Sequence, residues 1–214
     1  MTVQVAEVPE SELRERSRGW KRIIDERGKR YAVCQLNEFD IGEDEFRNAR
    51  HQACCQISDF CTSLESGRCS KNLLIAGPSG TGKDHLMFYV LRFAVMRCGV
   101  KASWVDGQRL FSELRDGMTE SRTEKEIMRE HVRADVLAIS DPVPPVGQLS
   151  DHQRNSLYRL IDERYSHCRP IWMTVNAANA KELDERMGVQ LVDRLLHDSV
   201  AVNCYWPSYR RVRC

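Results

Sequence analysis

Five short apolar runs alternate along the chain with amphipathic segments, and this alternation predicts the fold. The runs cover residues 72–76, 101–105, 136–140, 171–175 and 199–204. Apolar runs of this length, bounded by Gly, Pro or polar residues, are typical of buried strands. The segments between them repeat apolar residues every three or four positions, which predicts helices. Strands that alternate with helices indicate an α/β fold with a parallel sheet covered on both faces. We therefore expect a three-layer αβα sandwich around a five-stranded parallel sheet.

The same spacing predicts seven helices in the body of the chain, at residues 43–64, 83–97, 108–115, 123–132, 150–167, 180–187 and 190–197. A further segment, residues 9–29, is rich in charge but carries a few apolar positions, and Gly28 would end a helix there. We expect residues 1–30 to form a charged helical extension that lies frayed on the surface. Docking of a partner protein is the functional alternative for this segment.

The loop between the first predicted strand and the next helix carries the clearest chemical signal. It consists of Gly77-Pro78-Ser79-Gly80-Thr81-Gly82-Lys83-Asp84, and His85 follows within the predicted helix. Main-chain amides of such a loop, with the N-terminus of the helix, point at phosphate groups, and the lysine reaches the outer phosphates. A hydroxyl is expected at the last position to contact Mg²⁺, and this chain has an aspartate. The loop therefore predicts phosphate binding more firmly than hydrolysis.

Polar residues also follow two other predicted strands, and in a parallel sheet these ends meet at one edge. Ser140 and Asp141 end the third strand and Asn176 follows the fourth. Phosphoryl transfer requires a metal ligand on a neighbouring strand and a group that orients the attacking water. In one alignment of the motif, Ser140 takes the metal-binding position and Asp141 the water-orienting position. In the other, Asp141 takes the metal-binding position, and Pro142 stands where a water-orienting acid is expected.

In their order along the chain, these motifs resemble the DnaC/IstB-like group of AAA+ ATPases, which comprises bacterial replicative-helicase loaders and transposition helper ATPases. The matching stretches are Gly77–Leu86, Asp135–Asp141, Ser150-Asp151, Thr174–Asn176, Leu191–Leu195 and Trp206–Arg210. The resemblance implies a P-loop ATP-binding domain over residues 31–210, a basic tail at 211–214 and no C-terminal lid domain. It implies ATP and Mg²⁺ as cofactors. It further implies a helicase-loader-like function in DNA replication, with weak or partner-stimulated ATP hydrolysis. A non-hydrolysing, nucleotide-gated scaffold and a transposition helper ATPase are the alternatives.

The resemblance also implies roles for individual residues. Asp141 and Asn176 would place the attacking water, and Arg194 would be offered to the ATP of a neighbouring subunit. Arg210 would sense nucleotide near the phosphates. Tyr31, Asn37 and Phe39 would border the adenine, with ordinary packing as an equal alternative. Asn176 could instead satisfy a turn, and Arg194 could be an ordinary surface arginine.

The family pattern favours Ser140 in the metal position, so the chain has exchanged a hydroxyl and a carboxylate. Asp84 stands where the hydroxyl is expected and Ser140 where the aspartate is expected. Because Mg²⁺ accepts oxygen ligands of either kind, Asp84, Ser140 and Asp141 form a candidate metal site. The competing hypothesis is a decayed site that binds nucleotide and scarcely hydrolyses it.

Composition adds few constraints. The formal net charge is +1, the nine cysteines include no C-x-x-C pair, and no apolar run reaches membrane-spanning length. These features favour a cytoplasmic protein with reduced thiols and no membrane partner. Single-stranded DNA, a replicative helicase or transposase and further copies of the chain, assembled with nucleotide, are the expected partners. Basic residues that could contact DNA are interleaved with acids, which favours a solvated face: Arg109, Arg115, Arg122, Lys125, Arg129 and Arg133.

Overall fold

The sheet has five strands, and every neighbouring pair is parallel. The computed structural model describes residues 8–67, 69–116, 124–144 and 146–210. The strands are β1 (Asn72–Gly77), β2 (Ala102–Asp106), β3 (Val136–Ser140), β4 (Ile171–Asn176) and β5 (Ser199–Asn203). Their order in the sheet is β2-β3-β4-β1-β5. The predicted five-stranded parallel sheet is confirmed, because continuous apolar runs are what strands buried on both faces require.

Helices cover both faces of this sheet. They are α1 (Glu10–Arg27), α2 (Arg47–Glu65), α3 (Lys83–Met96), α4 (Gly107–Asp116), α5 (Glu124–Arg133), α6 (Asp151–Ser166), α7 (Ala180–Met187) and α8 (Val189–Leu196). Short 3-10 turns at Lys29–Tyr31 and Leu36–Glu38 lie between α1 and α2. One buried cluster joins α1, α2 and α3 to the sheet, and a second joins the other five helices to the opposite face. None of the helices in the described ranges is both long and apolar enough to cross a bilayer.

Helix α1 packs against the body of the protein, so the expectation of a frayed extension is wrong. Ile23 and Ile24 are buried in the same cluster as α3. The Arg16 guanidinium donates hydrogen bonds to the carbonyl oxygens of Met96 and Arg97 at the end of α3, at 3.0 and 2.7 Å. Most residues of α1 are charged, so its narrow apolar face is a weak signal in the sequence. The predicted domain boundary at residue 30 thus falls between segments that share one core.

The carboxyl ends of all five strands lie at one edge, where β1 and the chain after β5 approach very closely. The Cys204 amide donates to the Ala76 carbonyl at 2.7 Å. A Cβ atom on Gly77 would lie 2.4 Å from the Cys204 carbonyl oxygen, so only glycine fits there. This contact brings residues 204–210 alongside the loop that follows β1.

Candidate nucleotide-binding site

A cavity of about 300 Å³ opens at the carboxyl edge of the sheet, within the size range of small-molecule sites. The loop after β1 forms one wall, the segment between α1 and α2 forms a second, and the segment after β5 forms a third. The ends of β3 and β4 also line it. Its lining residues are Arg30, Tyr31, Cys34, Glu38, Phe39, Asp40, Ser79, Gly80, Gly82, Lys83, Asp84, His85, Asp141, Asn176, Tyr209 and Arg210.

Two loop glycines adopt backbone conformations that other residues rarely take. Gly80 and Gly82 have φ angles of +84° and +89°. A Cβ atom on Gly80 would lie 2.0 Å from the Ser208 hydroxyl, and one on Gly82 would lie 2.7 Å from the Phe39 ring. Glycine is therefore required here both for the left-handed turn and for the close approach of neighbouring segments.

Three other loop residues, Gly77, Pro78 and Thr81, shape the loop instead of lining the cavity. The Thr81 side chain is fully buried, and its hydroxyl donates to the Pro78 carbonyl at 3.0 Å. The Trp206 indole N–H donates to the Thr81 carbonyl at 3.0 Å, and the Tyr209 amide donates to the Gly80 carbonyl at the same distance. Of the predicted phosphate-binding residues, Gly77, Pro78 and Thr81 thus hold the shape of the loop.

Lys83 connects the loop to the end of β4. Its ammonium group donates to the Pro78 carbonyl and to the Asn176 side-chain oxygen, both at 2.8 Å. Burial lowers the pKa of Lys83, and the charge of Asp141 partly opposes this effect. The ammonium group is therefore held at the first turn of α3, where the helix dipole also attracts anions.

Asp141 lies at the end of β3 in a conformation that few side chains adopt. Its φ angle is +45°, and its amide donates to the Thr174 carbonyl at 2.9 Å. One carboxylate oxygen, Oδ1, is buried and has no hydrogen-bond partner in the described part of the chain. Burial, with the nearby charge of Asp84, raises the pKa of Asp141 to about 6. Left-handed, strained residues cluster at functional sites, and this one faces the cavity beside Lys83.

Asp84 and Ser140, the two exchanged groups, are both engaged by protein donors. Asp84 pairs with the Arg27 guanidinium and accepts a hydrogen bond from the Thr174 hydroxyl at 3.1 Å. Ser140 is 1% exposed and accepts a hydrogen bond from the Trp104 indole at 2.9 Å. Mg²⁺ keeps several waters when it binds, so its ligands must face solvent. Buried Ser140 and paired Asp84 do not fit an open magnesium site, and the described residues contain no other cluster of His, Cys, Asp or Glu that could hold a metal.

The two predicted arginines lie in different places. Arg210 lines the cavity next to the loop. Arg194 lies instead on α8, in a separate hollow against α6, where it pairs with Asp162 and donates to the Tyr158 hydroxyl at 2.6 Å. A role for Arg194 at the nucleotide of its own chain is therefore ruled out by position, and a role in a neighbouring subunit stays a prediction.

The segment between α1 and α2 closes the other end of the cavity. Tyr31 and Phe39 line it, whereas Asn37 lines a neighbouring hollow with Tyr89. His85 also lines the cavity, and its ring lies 2.8 Å from the Gln35 carbonyl, which ties this segment to α3. Two of the three residues expected to border the adenine therefore line the same cavity as the phosphate loop, and their contact with a base stays a prediction.

Several residues of the site were not singled out in the sequence. Tyr209 and Trp206 hold the loop, and they lie in a stretch that carried the family resemblance, so that stretch was the available signal. Arg27 pairs with a residue 57 positions away, and no local pattern indicates this contact.

The predicted DNA-contacting residues lie on α4 and α5 or between them. Arg109 pairs with Glu113 at 2.7 Å, in line with the expected solvated, salt-bridged face. Arg122 lies outside the described residues, and so does the side chain of Lys125.

Comparison with known proteins agrees with this site. A family profile described as IstB-like ATP binding protein matches residues 12–213. The ATP-binding protein of insertion sequence IS5376 from Geobacillus stearothermophilus is 32% identical over 146 residues, which cover 65% of this chain and 55% of that protein. The corresponding protein of IS21 from Pseudomonas aeruginosa is 27% identical over 146 residues, 66% of this chain and 53% of that protein. The chain thus spans little more than half the length of these two relatives.

Solved structures show the same fold. The DnaC helicase loader superposes with a TM-score of 0.70 at 21% identity, over 82% of this chain and 99% of that one. DnaI superposes with a TM-score of 0.64 at 19% identity, over 84% and 92%. The expected α/β fold, with a five-stranded parallel sheet between helical layers, is therefore confirmed. The chain belongs to the family of IstB-like ATP-binding proteins.

Proposed function

We propose that this protein is the nucleotide-responsive component of a DNA transposition system, in which bound ATP governs its assembly on DNA. The convergence of Lys83, Arg210 and the glycine loop on one cavity carries the proposal. Tyr31 and Phe39, on the wall formed by the segment between α1 and α2, offer aromatic surface for a base. Cationic groups and aromatic rings in one cavity match the two halves of an adenine nucleotide.

The names of the relatives favour transposition over replication. Those matched in sequence are ATP-binding proteins of insertion sequences. The likeness to helicase loaders is below 25% identity and concerns the fold alone, so it does not favour a loader role. A helicase-loader-like function in replication is the alternative, with a replicative helicase in place of a transposase as the partner.

We expect this site to bind ATP but to hydrolyse it slowly. Asp141 lines the cavity beside Lys83, and Asn176 accepts a hydrogen bond from that lysine, so they could orient a water molecule near the outermost phosphate. Asp84 and Ser140, however, are engaged by Arg27 and Trp104, which leaves no open pair of metal ligands. Nucleotide would then act mainly as a ligand that selects one assembly state, with hydrolysis slow or dependent on a partner.

Assembly with nucleotide is the second part of the proposal. Arg194 is half-buried against Tyr158 and paired with Asp162 in its own chain. To reach the nucleotide of a neighbouring subunit, its guanidinium must leave these partners. The phosphates bound by the neighbouring subunit would replace Asp162 as the anionic partner of Arg194, and this new contact would offset the loss of the old one.

Binding to fluorescently labelled single-stranded and duplex DNA, with and without ATP, tests the proposed function. Because ATP would couple to assembly, wild type should bind DNA at least about tenfold more tightly with ATP, within the usual range of such coupling. Lys83→Ala should lose this gain, whereas Lys181→Ala, an exposed lysine on α7 with a loose 3.7 Å ion pair, should keep it. DNA affinity that is identical with and without ATP would contradict the proposal.

A further inference from the structure

The last residue of α1, Arg27, is held in a cage beside the phosphate loop. Its guanidinium pairs with Asp84 and donates to the Tyr31 hydroxyl at 3.3 Å. The guanidinium also lies over two aromatic rings, 4.6 Å from the centre of Tyr31 and 5.4 Å from that of Trp104. The side chains of Arg27 and Asp84 are only 25% and 18% exposed. This combination of ion pair, hydrogen bond and stacking is specific to the planar group of arginine.

Both departures from the expected magnesium motif contact this cage. Asp84, which replaces the expected hydroxyl, is the ion-pair partner of Arg27. Ser140, which replaces the expected aspartate, accepts the indole hydrogen bond that orients Trp104 under the guanidinium. The two substitutions therefore have one common structural consequence: both help to fix the Arg27 guanidinium beside the phosphate loop.

The charges explain why a cation is needed at this position. Asp84 lines the cavity next to Lys83, so an unpaired carboxylate there would repel a polyphosphate. Arg27 neutralises this carboxylate, and the Thr174 hydroxyl satisfies its other oxygen. Because arginine stays protonated at all physiological pH values, this compensation of charge requires no metal.

We propose that Arg27 takes the place of the metal ion in this site, so that the protein binds ATP equally well without Mg²⁺. Arg27 is a positioning residue: it compensates the charge of Asp84 and holds that side chain in place while the loop amides and Lys83 bind the phosphates. This inference rests on the proposed binding of nucleotide at the cavity. It also makes the docking of α1 a requirement for tight binding, since Arg27 is the last residue of that helix.

Titration of a fluorescent ATP analogue, in excess EDTA and in millimolar magnesium chloride, tests this inference directly. Wild type should show affinities within about threefold of each other in the two buffers. Arg27→Gln should bind roughly tenfold more weakly in EDTA, because Asp84 then carries an uncompensated charge. Magnesium should restore part of that loss, because the freed carboxylate can face a hydrated cation. Arg22→Gln, an exposed position on the same helix, should behave as wild type.

A double variant separates this role from a purely structural one. Arg27→Gln with Asp84→Asn removes both charges and should recover affinity in EDTA to within about threefold of wild type. A contact that only held α1 in place would not be rescued in this way. Thermal melting of each variant reports whether α1 remains docked, and the two-buffer comparison on wild type stands even if a variant fails to fold.

The measurements distinguish a failure of this inference from a failure of the proposed function. Tightening of wild-type binding by tenfold or more on addition of Mg²⁺ would overturn the inference and leave the proposed function intact. An Arg27→Gln affinity equal to that of wild type in EDTA would do the same. Absence of nucleotide binding to wild type in either buffer would overturn the proposed function, and this inference with it.

Discussion

Replacement of Arg164 by methionine is expected to be among the most destabilising single changes in this chain. The side chain is fully buried on α6. It donates five hydrogen bonds to main-chain carbonyls, at distances from 2.6 to 3.3 Å. The acceptors belong to the end of α5, the start of β3 and the residue before β4: His131, Val132, Ala134, Asp135 and Pro170. The last carbonyls of a helix have no partner within it, so Arg164 supplies one to α5.

The size of the effect follows from these five acceptors. Two of the five, Val132 and Pro170, also accept from Arg169 and from the Leu137 amide. The other three carbonyls lose their donor at a cost of about 1 kcal/mol or more each, which gives about 3 kcal/mol or more in all. Burial of the guanidinium is itself unfavourable: burial, with the charge of Arg169, lowers the pKa of Arg164 to about 10. Methionine avoids that cost and fills most of the volume. We therefore expect the free energy of unfolding to fall by about 3–5 kcal/mol.

Urea unfolding monitored by circular dichroism measures this loss through the midpoint and the slope of the transition. Arg169→Met is the matched control, because Arg169 is only partly buried and donates to a single carbonyl, that of Val132. Its loss should be about 1 kcal/mol or less. Equal and small losses for the two variants would refute the claim that these carbonyls depend on Arg164.

Three further predictions concern the edge of the sheet and the thiols. Gly77→Ala should lower the free energy of unfolding in urea by about 2 kcal/mol or more, because its Cβ would meet the Cys204 main chain at 2.4 Å; an unchanged midpoint would refute this packing. Ser140→Ala should cost about 1–3 kcal/mol in the same assay, since the buried Trp104 N–H would lose its acceptor; a neutral result would show that another acceptor replaces it. Cys55 is exposed and should react rapidly with a thiol reagent in the native protein. Cys204, whose pKa is raised to about 12 by burial, should react only on unfolding, as peptide mapping by mass spectrometry would show.

The sheet could be predicted from the sequence because buried parallel strands are continuous apolar runs. The predicted bounds of β3 match the structure, those of β1, β4 and β5 differ by one residue at one end, and β2 is shifted by one residue. The predicted capping of α6 is also confirmed, because Ser150 and Gln153 form a reciprocal capping box within four consecutive residues. Signals of this kind lie entirely in the local sequence.

Contacts between distant segments could not be predicted in the same way. The start of α2 lies four residues later than expected, because the carboxylate of Asp44 accepts hydrogen bonds from the Phe46 amide and from Arg50 and forms a turn before the helix. The sequence of residues 9–29 predicted a helix but did not indicate that this helix packs against α3. Its two buried isoleucines lie among many charged residues, so the apolar pattern is weak.

In the candidate site, too, local features could be predicted and long-range contacts could not. The phosphate loop is a local backbone motif, so its sequence indicated its shape. The partners of Asp84 and Ser140 come from α1 and β2, and their choice depends on tertiary packing. The sequence therefore left open whether the exchanged residues hold a metal, and the structure shows that each has a protein partner.

The affinity of the protein for ATP, measured by isothermal titration calorimetry on wild type and Lys83→Ala, tests most directly whether residues 77–84 hold a polyphosphate. Wild type should bind, and loss of the ammonium group should weaken binding by about 2 kcal/mol, or roughly thirtyfold. Lys181→Ala should bind as wild type does. No detectable binding of ATP to wild type at millimolar concentration, or equal binding by Lys83→Ala, would contradict the assignment of this cavity as a nucleotide site.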